Sequence, residues 1–200
     1  YIENNLIKYA KVSKDRDTFK VDAFGIRFFD NLNEAIKKIV EETYSFTTPI
    51  SINLANEQYL YYDIFALLSK NDIQKTVETE FETFCDENKY NQKAFETRYA
   101  LVSNVQNKER IKAIQVIVNK IELNKQKQYL EKHNLSGILP IGTAIASITR
   151  FEKKENVLIV NMEEKTTITT IYDRQIYNVE TIDHGSQEVL EKINRTENSM

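Results

Sequence analysis

Asn156–Gly185, reading NVLIVNMEEKTTITTIYDRQIYNVETIDHG, is the stretch that decides the fold. The apolar run Val157 to Val160 meets a polar turn, Asn161 to Lys165, and then the β-branched run Thr166 to Tyr172. Asp173-Arg174 separates that run from a further one, Gln175 to Ile182. β-Branched and aromatic residues suit a pleated, half-buried surface, and short polar breaks between such runs mark hairpin turns. Ser186 stands where it would cap a helix over Gln187–Asn194. The stretch therefore predicts three strands joined by two tight turns, followed by a helix.

The rest of the chain reads outward from there. Leu6 to Val12 and Thr18 to Phe24 predict another hairpin, with its turn at residues 13–17. Asn31 or Asn33 caps a helix to about Tyr44, whose apolar face is Leu32, Ala35, Ile36, Ile39 and Val40. Short strands are expected at Ile50–Leu54 and Tyr59–Leu67. Ser69 caps a helix over Lys70–Phe84 with Ile73, Val77, Phe81 and Phe84 at helical spacing. Ala94–Ser103 and Arg110–Val118 read as paired strands around the polar turn at residues 104–109. A helix from Asn119 or Lys120 to His133, a strand at Leu135–Leu139 and a small-residue helix over Thr143–Ile148 complete the pass. Strands and helices are interspersed without strict βαβ alternation, so the class is α/β with mixed sheets.

Composition narrows the function. Hydrophobic residues make up 41% of the 200, enough for a true core. The net charge of −3 and the mixing of lysine with glutamate leave no basic footprint for nucleic acid or an anionic membrane. Cys85 is the single cysteine, so an intramolecular disulfide is impossible and a reducing compartment fits. No apolar run approaches the ~20 residues that span a bilayer. The chain begins at Tyr1 rather than Met and ends on a polar tail, Asn194–Met200, which reads as a fragment of a longer cytoplasmic protein. Four glycines and two prolines are few, and no Gly-rich phosphate cradle or Walker motif occurs.

Other candidate groups read as ordinary ones. His133 and His184 lack metal-ligand spacing and are taken as surface or capping residues. Cys85 follows an apolar helix face and reads as a buried thiol. Glu78, Glu80 and Glu82 read as a solvated helix face.

The order of elements and several local strings resemble PilM-like proteins of type IV pilus assembly and, more distantly, FtsA-like division proteins. Both belong to the actin-like ATPase superfamily. PilM-like chains open with a string close to Asp-Ile-Gly-Ser-Ser-Ser-Ile-Lys, and this one opens Tyr1-Ile2-Glu3-Asn4-Asn5-Leu6-Ile7-Lys8, matching at Ile2, Ile7 and Lys8. Gln128-Tyr129-Leu130-Glu131-Lys132-His133-Asn134-Leu135 is similar to the family's helix-to-strand segment, and Thr143-Ala144-Ile145-Ala146-Ser147 to its following Ala-rich helix. Asn134 stands where glycine is usual, and Asn tolerates the left-handed conformation at a helix end.

The resemblance implies an actin-like, ribonuclease H-like fold with an inserted small α+β subdomain, truncated in the second lobe. Residues 1–57 and 108–142 would form the first-lobe core, 58–107 the insert, and 143–200 the start of the second lobe. In that superfamily two hairpin turns hold a phosphate, each with Asp near the metal and Gly allowing close backbone approach. Here Tyr1 and Glu3, then Asn161 and Glu163, occupy those places. The degenerate nucleotide-turn positions are Ile2, Glu3, Asn4, Asn5, Asn161, Glu163 and Thr166. Two glutamates facing a polyphosphate would repel it by ~1 kcal/mol each in water and more when partly buried. The resemblance thus implies a non-catalytic pseudo-ATPase without cofactor or metal, the alternatives being an active Mg-ATP enzyme or an FtsA-like division protein. Its expected partner is the tail of a PilN-like inner-membrane protein, which would hold it peripherally at the inner membrane from the cytoplasmic side; self-association is compatible with this. Tyr59, Tyr61, Phe65, Phe95 and Tyr99 are the expected groove residues.

Overall fold

The structure is a computed structural model that describes residues 1–197 except 4, 17, 55, 104–108 and 149–155. Along the chain run β1 (Ile2–Glu3), β2 (Leu6–Asp15), β3 (Thr18–Phe28), α1 (Leu32–Glu42), β4 (Ile50–Asn53), β5 (Gln58–Phe65), α2 (Lys70–Glu87), β6 (Phe95–Ser103), β7 (Arg110–Asn119), α3 (Lys120–Leu130), β8 (Leu135–Leu139), α4 (Ile141–Ile148), β9 (Val157–Met162), β10 (Thr166–Tyr172), β11 (Gln175–Ile182) and α5 (Ser186–Glu197). Two compact units result: Tyr1–Leu54 with Asn124–Leu139, and Ala55–Leu123 with Pro140–Met200.

In the first unit β1, β2 and β3 form an antiparallel sheet, and β4 pairs in parallel with β8. The β2–β3 ribbon is longer than its apolar pattern suggested, because strand pairing continues to Asp15 before Arg16 turns the chain at φ 53°. The Asn31 side chain accepts the Glu34 N–H and so supplies one of the partners that the first turn of α1 lacks. The stripe Ala35, Ile36, Ile39 and Val40 then packs with Ile7, Ile52 and Leu130. Each isoleucine, leucine or valine among them contributes about 1.5–3 kcal/mol when fully buried.

β1 is too short for periodicity to reveal, and a side chain secures it. Asn53 at the end of β4 accepts the Ile2 N–H through Oδ1 (2.6 Å) and donates Nδ2–H to the Ile2 carbonyl (3.0 Å). One amide thus satisfies both backbone groups that a sheet neighbour would otherwise pair.

In the second unit β7 lies between β5 and β6, antiparallel to both. Residues 110–119, expected with the first-lobe core, are hydrogen-bonded to these two strands over their whole length. Ser69 caps α2, whose Ile73, Val77, Phe81 and Cys85 recur every four residues and are buried on the sheet with Ile64, Ala113 and Ile117. Cys85 is 2% exposed, and its burial pushes the thiol up, away from the reactive thiolate. Glu78, Glu80 and Glu82 are exposed.

β9, β10 and β11 form the remaining antiparallel sheet in the order β11-β10-β9. Asp173 (φ 48°) and Arg174 (φ 61°) make the mirror-image hairpin turn that suits the right-handed strand twist. The small residues of α4 let it lie close to β10 and β11: a Cβ on Gly142 would meet both Val179 methyls at 2.7 Å. α4 begins at Ile141, two residues before the expected start, with the Pro140 carbonyl accepting the Ala144 N–H. Among the described residues no helix is long and apolar enough to cross a membrane.

Candidate functional site

The first candidate turn joins β1 to β2. Glu3 faces Leu6 and Ile2 faces Ile7, so the two strands close almost at once. The Lys8 N–H donates to the Tyr1 carbonyl (2.9 Å), and Lys8 Nζ lies 5.9 Å from the centroid of the Tyr1 ring. The Asn5 carbonyl accepts the Phe29 N–H at 2.8 Å, and Ile2 is held by Asn53. Glu3, in the place that the family resemblance gives to a glycine, is half-buried. Asn4 lies outside the described residues.

The second candidate turn joins β9 to β10. Met162 faces Thr166 and Asn161 faces Thr167, leaving Glu163, Glu164 and Lys165 as the turn. None of residues 161–166 has positive φ, although that is the conformation a glycine-built phosphate turn requires. The Glu163 carbonyl accepts the Ser186 N–H (2.8 Å) and the Ser186 hydroxyl (3.2 Å). Ser186 was expected to accept as a helix cap; it is instead the first residue of α5 and donates twice to the turn. Gly185 allows this approach: a Cβ there would lie 2.1 Å from the carbonyl oxygens of Glu163 and Glu164.

The start of α5 is therefore met by backbone carbonyls, and one of its amide donors is already paired. Thr166 adds a hydrogen bond from its hydroxyl to the His184 carbonyl (2.6 Å). Lys165 Nζ sits 2.7 Å from Asp183, which holds that carboxyl below the usual range. His184 Nδ1 lies 2.5 Å from Glu188, whose carboxyl is lowered first by His184 and then by Lys192. Four acids, Glu163, Glu164, Asp183 and Glu188, thus belong to the turn and the start of α5. Among the described residues no group of three or more His, Cys, Asp or Glu is arranged to hold a metal ion.

The five expected groove residues do not share one face. By register, Tyr59, Tyr61 and Phe65 project from one side of the β5-β7-β6 sheet, and Phe95 and Tyr99 from the other. Tyr61 is tied to β11: its hydroxyl donates to the Val179 carbonyl and accepts the Val179 N–H, both at 2.6 Å. Burial pushes that hydroxyl up to about 12. Beside it Lys112 Nζ lies 4.7 Å from the Tyr61 ring centroid and 4.2 Å from that of Tyr177, and it donates to the Tyr177 carbonyl at 2.9 Å. Phe95 packs edge-on against Phe81 under α2. Phe65 is exposed beneath the Arg110 guanidinium, and Tyr99 is exposed with Leu101 on the edge strand β6.

One polar group escaped the sequence reading. Glu57 Oε1 accepts the Tyr59 hydroxyl (2.6 Å) and the Ile141 N–H at the start of α4 (2.7 Å). The Tyr59 oxygen in turn accepts the Gly142 N–H at 3.2 Å. Glu57 Oε2 is buried without a hydrogen-bond partner among the described residues. Desolvation outweighs these hydrogen bonds and raises the carboxyl to about 7. Burial and the adjacent carboxylate also push the Tyr59 hydroxyl well up. Glu57 immediately precedes β5, and its role appears only when Ile141 is brought to it.

A cavity of about 430 Å³ lies in the first unit, lined by Tyr9, Val12, Ile36, Val40, Ile50 and Ile52 among others.

Comparison with known proteins gives the fold its name. No protein-family model matches the sequence, and no curated protein matches it either. Solved structures do match. The chain is similar to a protein of the PilM–PilN type IV pilus biogenesis complex, with 13% identity, 97% of this chain and 63% of that chain covered, and a TM-score of 0.73. It is also similar to the cytoplasmic domain of EpsL, an inner-membrane component of the type II secretion system of Vibrio cholerae, with 13% identity, coverage of 88% and 66%, and a TM-score of 0.59. The chain has the actin-like ATPase fold in its PilM-like form. It spans a little under two thirds of the length of these structures.

Proposed function

We propose that this chain is a PilM-like cytoplasmic component of a type IV pilus or related secretion machine, a non-catalytic scaffold docking the peptide tail of a PilN-like inner-membrane partner. The observation that carries the reading is the likeness of 97% of the chain to a protein of the PilM–PilN complex. The pseudo-ATPase part draws support from chemistry. A phosphate turn offers amide donors with a carboxylate-held metal behind them, whereas the turn at Glu163 directs carbonyls toward α5 and itself carries two glutamates. The partner keeps the protein at the inner membrane.

Since Tyr59 and Tyr61 hold the fold together and Phe95 is packed under α2, the docking surface is the outer edge of β6, with Tyr99 and Leu101 as anchors. An extended peptide adds to such an edge through backbone hydrogen bonds and places alternate side chains beside the anchors. The test is titration of the full-length protein with the cytoplasmic tail of the cognate partner. Binding that Tyr99→Ala and Leu101→Ala together weaken about tenfold or more, as loss of two interface anchors would, supports the reading. No binding of the tail overturns it. In a parallel thermal melt, Mg-ATP at saturating concentration leaves the midpoint unchanged; a rise of about 5 °C or more would show productive nucleotide binding.

A further inference from the structure

Two strand edges of the first unit face one cavity. On β2, the Tyr1 nitrogen donates to the Lys8 carbonyl (2.7 Å) and the Tyr1 carbonyl accepts the Lys8 N–H (2.9 Å). In an antiparallel ladder such doubly bonded pairs recur at every second residue. Ala10 is therefore the next residue of β2 to turn both its backbone groups to that edge. Among the described residues no strand pairs with β2 there.

β4 carries a matching edge. Ile50 and Leu54 donate their N–H groups to the Asn134 and Leu139 carbonyls, on the side of β8. Alternation along the strand then turns Ser51 and Asn53 to the other side. Asn53 meets Ile2 there through its side chain, whereas Ser51 has no strand partner on that side among the described residues. Ala10 and Ser51 both line the cavity of about 430 Å³, and Ile36, Ile39 and Val40 of α1 form its apolar wall. Backbone donors and acceptors beside an apolar wall call for backbone partners.

The direction of β1 identifies the occupant. Glu3 faces Leu6, Ile2 faces Ile7 and Tyr1 bonds to Lys8. Each residue on the N-terminal side of Tyr1 therefore falls opposite a later residue of β2: first Tyr9, then Ala10, then Lys11. Tyr1 and Ile2 line the same cavity, so a strand from another protein would meet an end that β1 already holds.

We propose that the residues immediately before Tyr1 in the full-length chain fill this cavity as a continuation of β1, antiparallel to β2 and parallel to β4. The sheet then runs β3-β2-β1-β4-β8 without a break. The stretch from Tyr9 to Val12 is about 13 Å long, so about four residues fill it. Ile2, Ile7 and Tyr9 pack with the core under α1. By alternation the first and third residues before Tyr1, opposite Tyr9 and Lys11, face Ile36, Ile39 and Val40 and are apolar. The proposal rests on these two edges and is independent of the β6 edge.

The test uses the full-length chain. A cysteine substituted at the second residue before Tyr1, combined with Ala10→Cys, should give an intramolecular disulfide under mild oxidation. A hydrogen-bonded antiparallel pair holds its Cα atoms about 5.5 Å apart, within disulfide reach. A cysteine at the first residue before Tyr1 points to the opposite face and should give none with Ala10→Cys. Cys85, 2% exposed, does not compete, and Ala10 is exposed, so the substitution leaves the core intact. In the unmodified full-length chain the Ala10 and Ser51 amides should exchange about a hundredfold or more slower than open-edge amides. Equal disulfide yield from both cysteine positions, or disulfides between two chains, overturns the proposal. So does free exchange at Ala10 and Ser51, or protection there without the disulfide, which would mean another occupant. A full-length chain that starts at Tyr1, or one with charged residues at both the first and third positions before it, overturns it as well.

Discussion

The two hairpin turns are closed by different means. The β1–β2 turn is held by a side chain, the Asn53 amide bridging both backbone groups of Ile2. The β9–β10 turn is held by backbone, with the Glu163 carbonyl meeting the start of α5 and Gly185 permitting the approach. Both turns lack the Asp and Gly of a phosphate site, yet only the second has its helix N-terminus occupied by the turn itself. What meets the second turn depends on a glycine some twenty residues later.

Gly185→Ala is the sharpest way to break this arrangement. Its Cβ would meet two backbone carbonyls at 2.1 Å, and neither is the end of a flexible side chain. The expected loss, read by urea denaturation, is about 3 kcal/mol or more, at the upper end of overpacking. Asn5→Ala in the other turn, at an exposed residue, should fall within about 0.5 kcal/mol. Similar losses at the two sites would remove the contrast.

Next in size is the pH dependence at Glu57, in the same unit as the second turn. Its folded-state value of about 7 lies above the ordinary 4.5, so the folded state binds the proton more tightly than the unfolded state. The stabilisation is fully present below pH 4.5 and is lost as pH rises through about 7. The whole span is at most about 3 kcal/mol. Glu57→Gln keeps an acceptor for Ile141 and Tyr59 and cannot ionise. Its stability should run flatter than that of the parent between these pH values; an unchanged slope would place the titration elsewhere.

Asn53→Ala tests the first turn. It leaves the Ile2 N–H and carbonyl without the amide and should cost about 2 kcal/mol, with faster hydrogen exchange at Ile2. Exchange at Thr167, in the second turn's sheet, should not change.

These contrasts also show what the sequence could reveal. The element order was legible because α1 and α2 carry clear caps and four-residue apolar spacing, and because β10 and β11 are β-branched runs around a turn dipeptide. It carried the actin-like resemblance, which the solved structures bear out at the level of fold. β1 was invisible because two residues have no periodicity. The two faces of β5 and β6 were confused because their aromatics alternate in each strand, and only pairing through β7 shows that Tyr61 and Tyr99 point apart. Glu57 was passed over because its meaning depends on Ile141, which lies far along the chain.

The smallest effect separates two threonines on β10. Thr166 is 7% exposed and donates its hydroxyl to the His184 carbonyl at 2.6 Å, which helps hold the chain before α5 against the turn. Thr169 is 0% exposed, and its hydroxyl has no hydrogen-bond partner among the described residues. A buried hydrogen bond contributes about 1 kcal/mol, whereas an unpaired buried hydroxyl carries a desolvation cost of about the same size. Thr166→Val should therefore destabilise by about 1 kcal/mol, and Thr169→Val, which keeps the shape and removes the unpaired oxygen, should stabilise by up to about 1 kcal/mol. Opposite signs from one substitution type, three residues apart, would show that the Thr166 hydroxyl adds to the backbone closure of the second turn. Equal signs would mean that strand packing against α4 governs both positions and that the hydroxyl bond adds nothing to the turn.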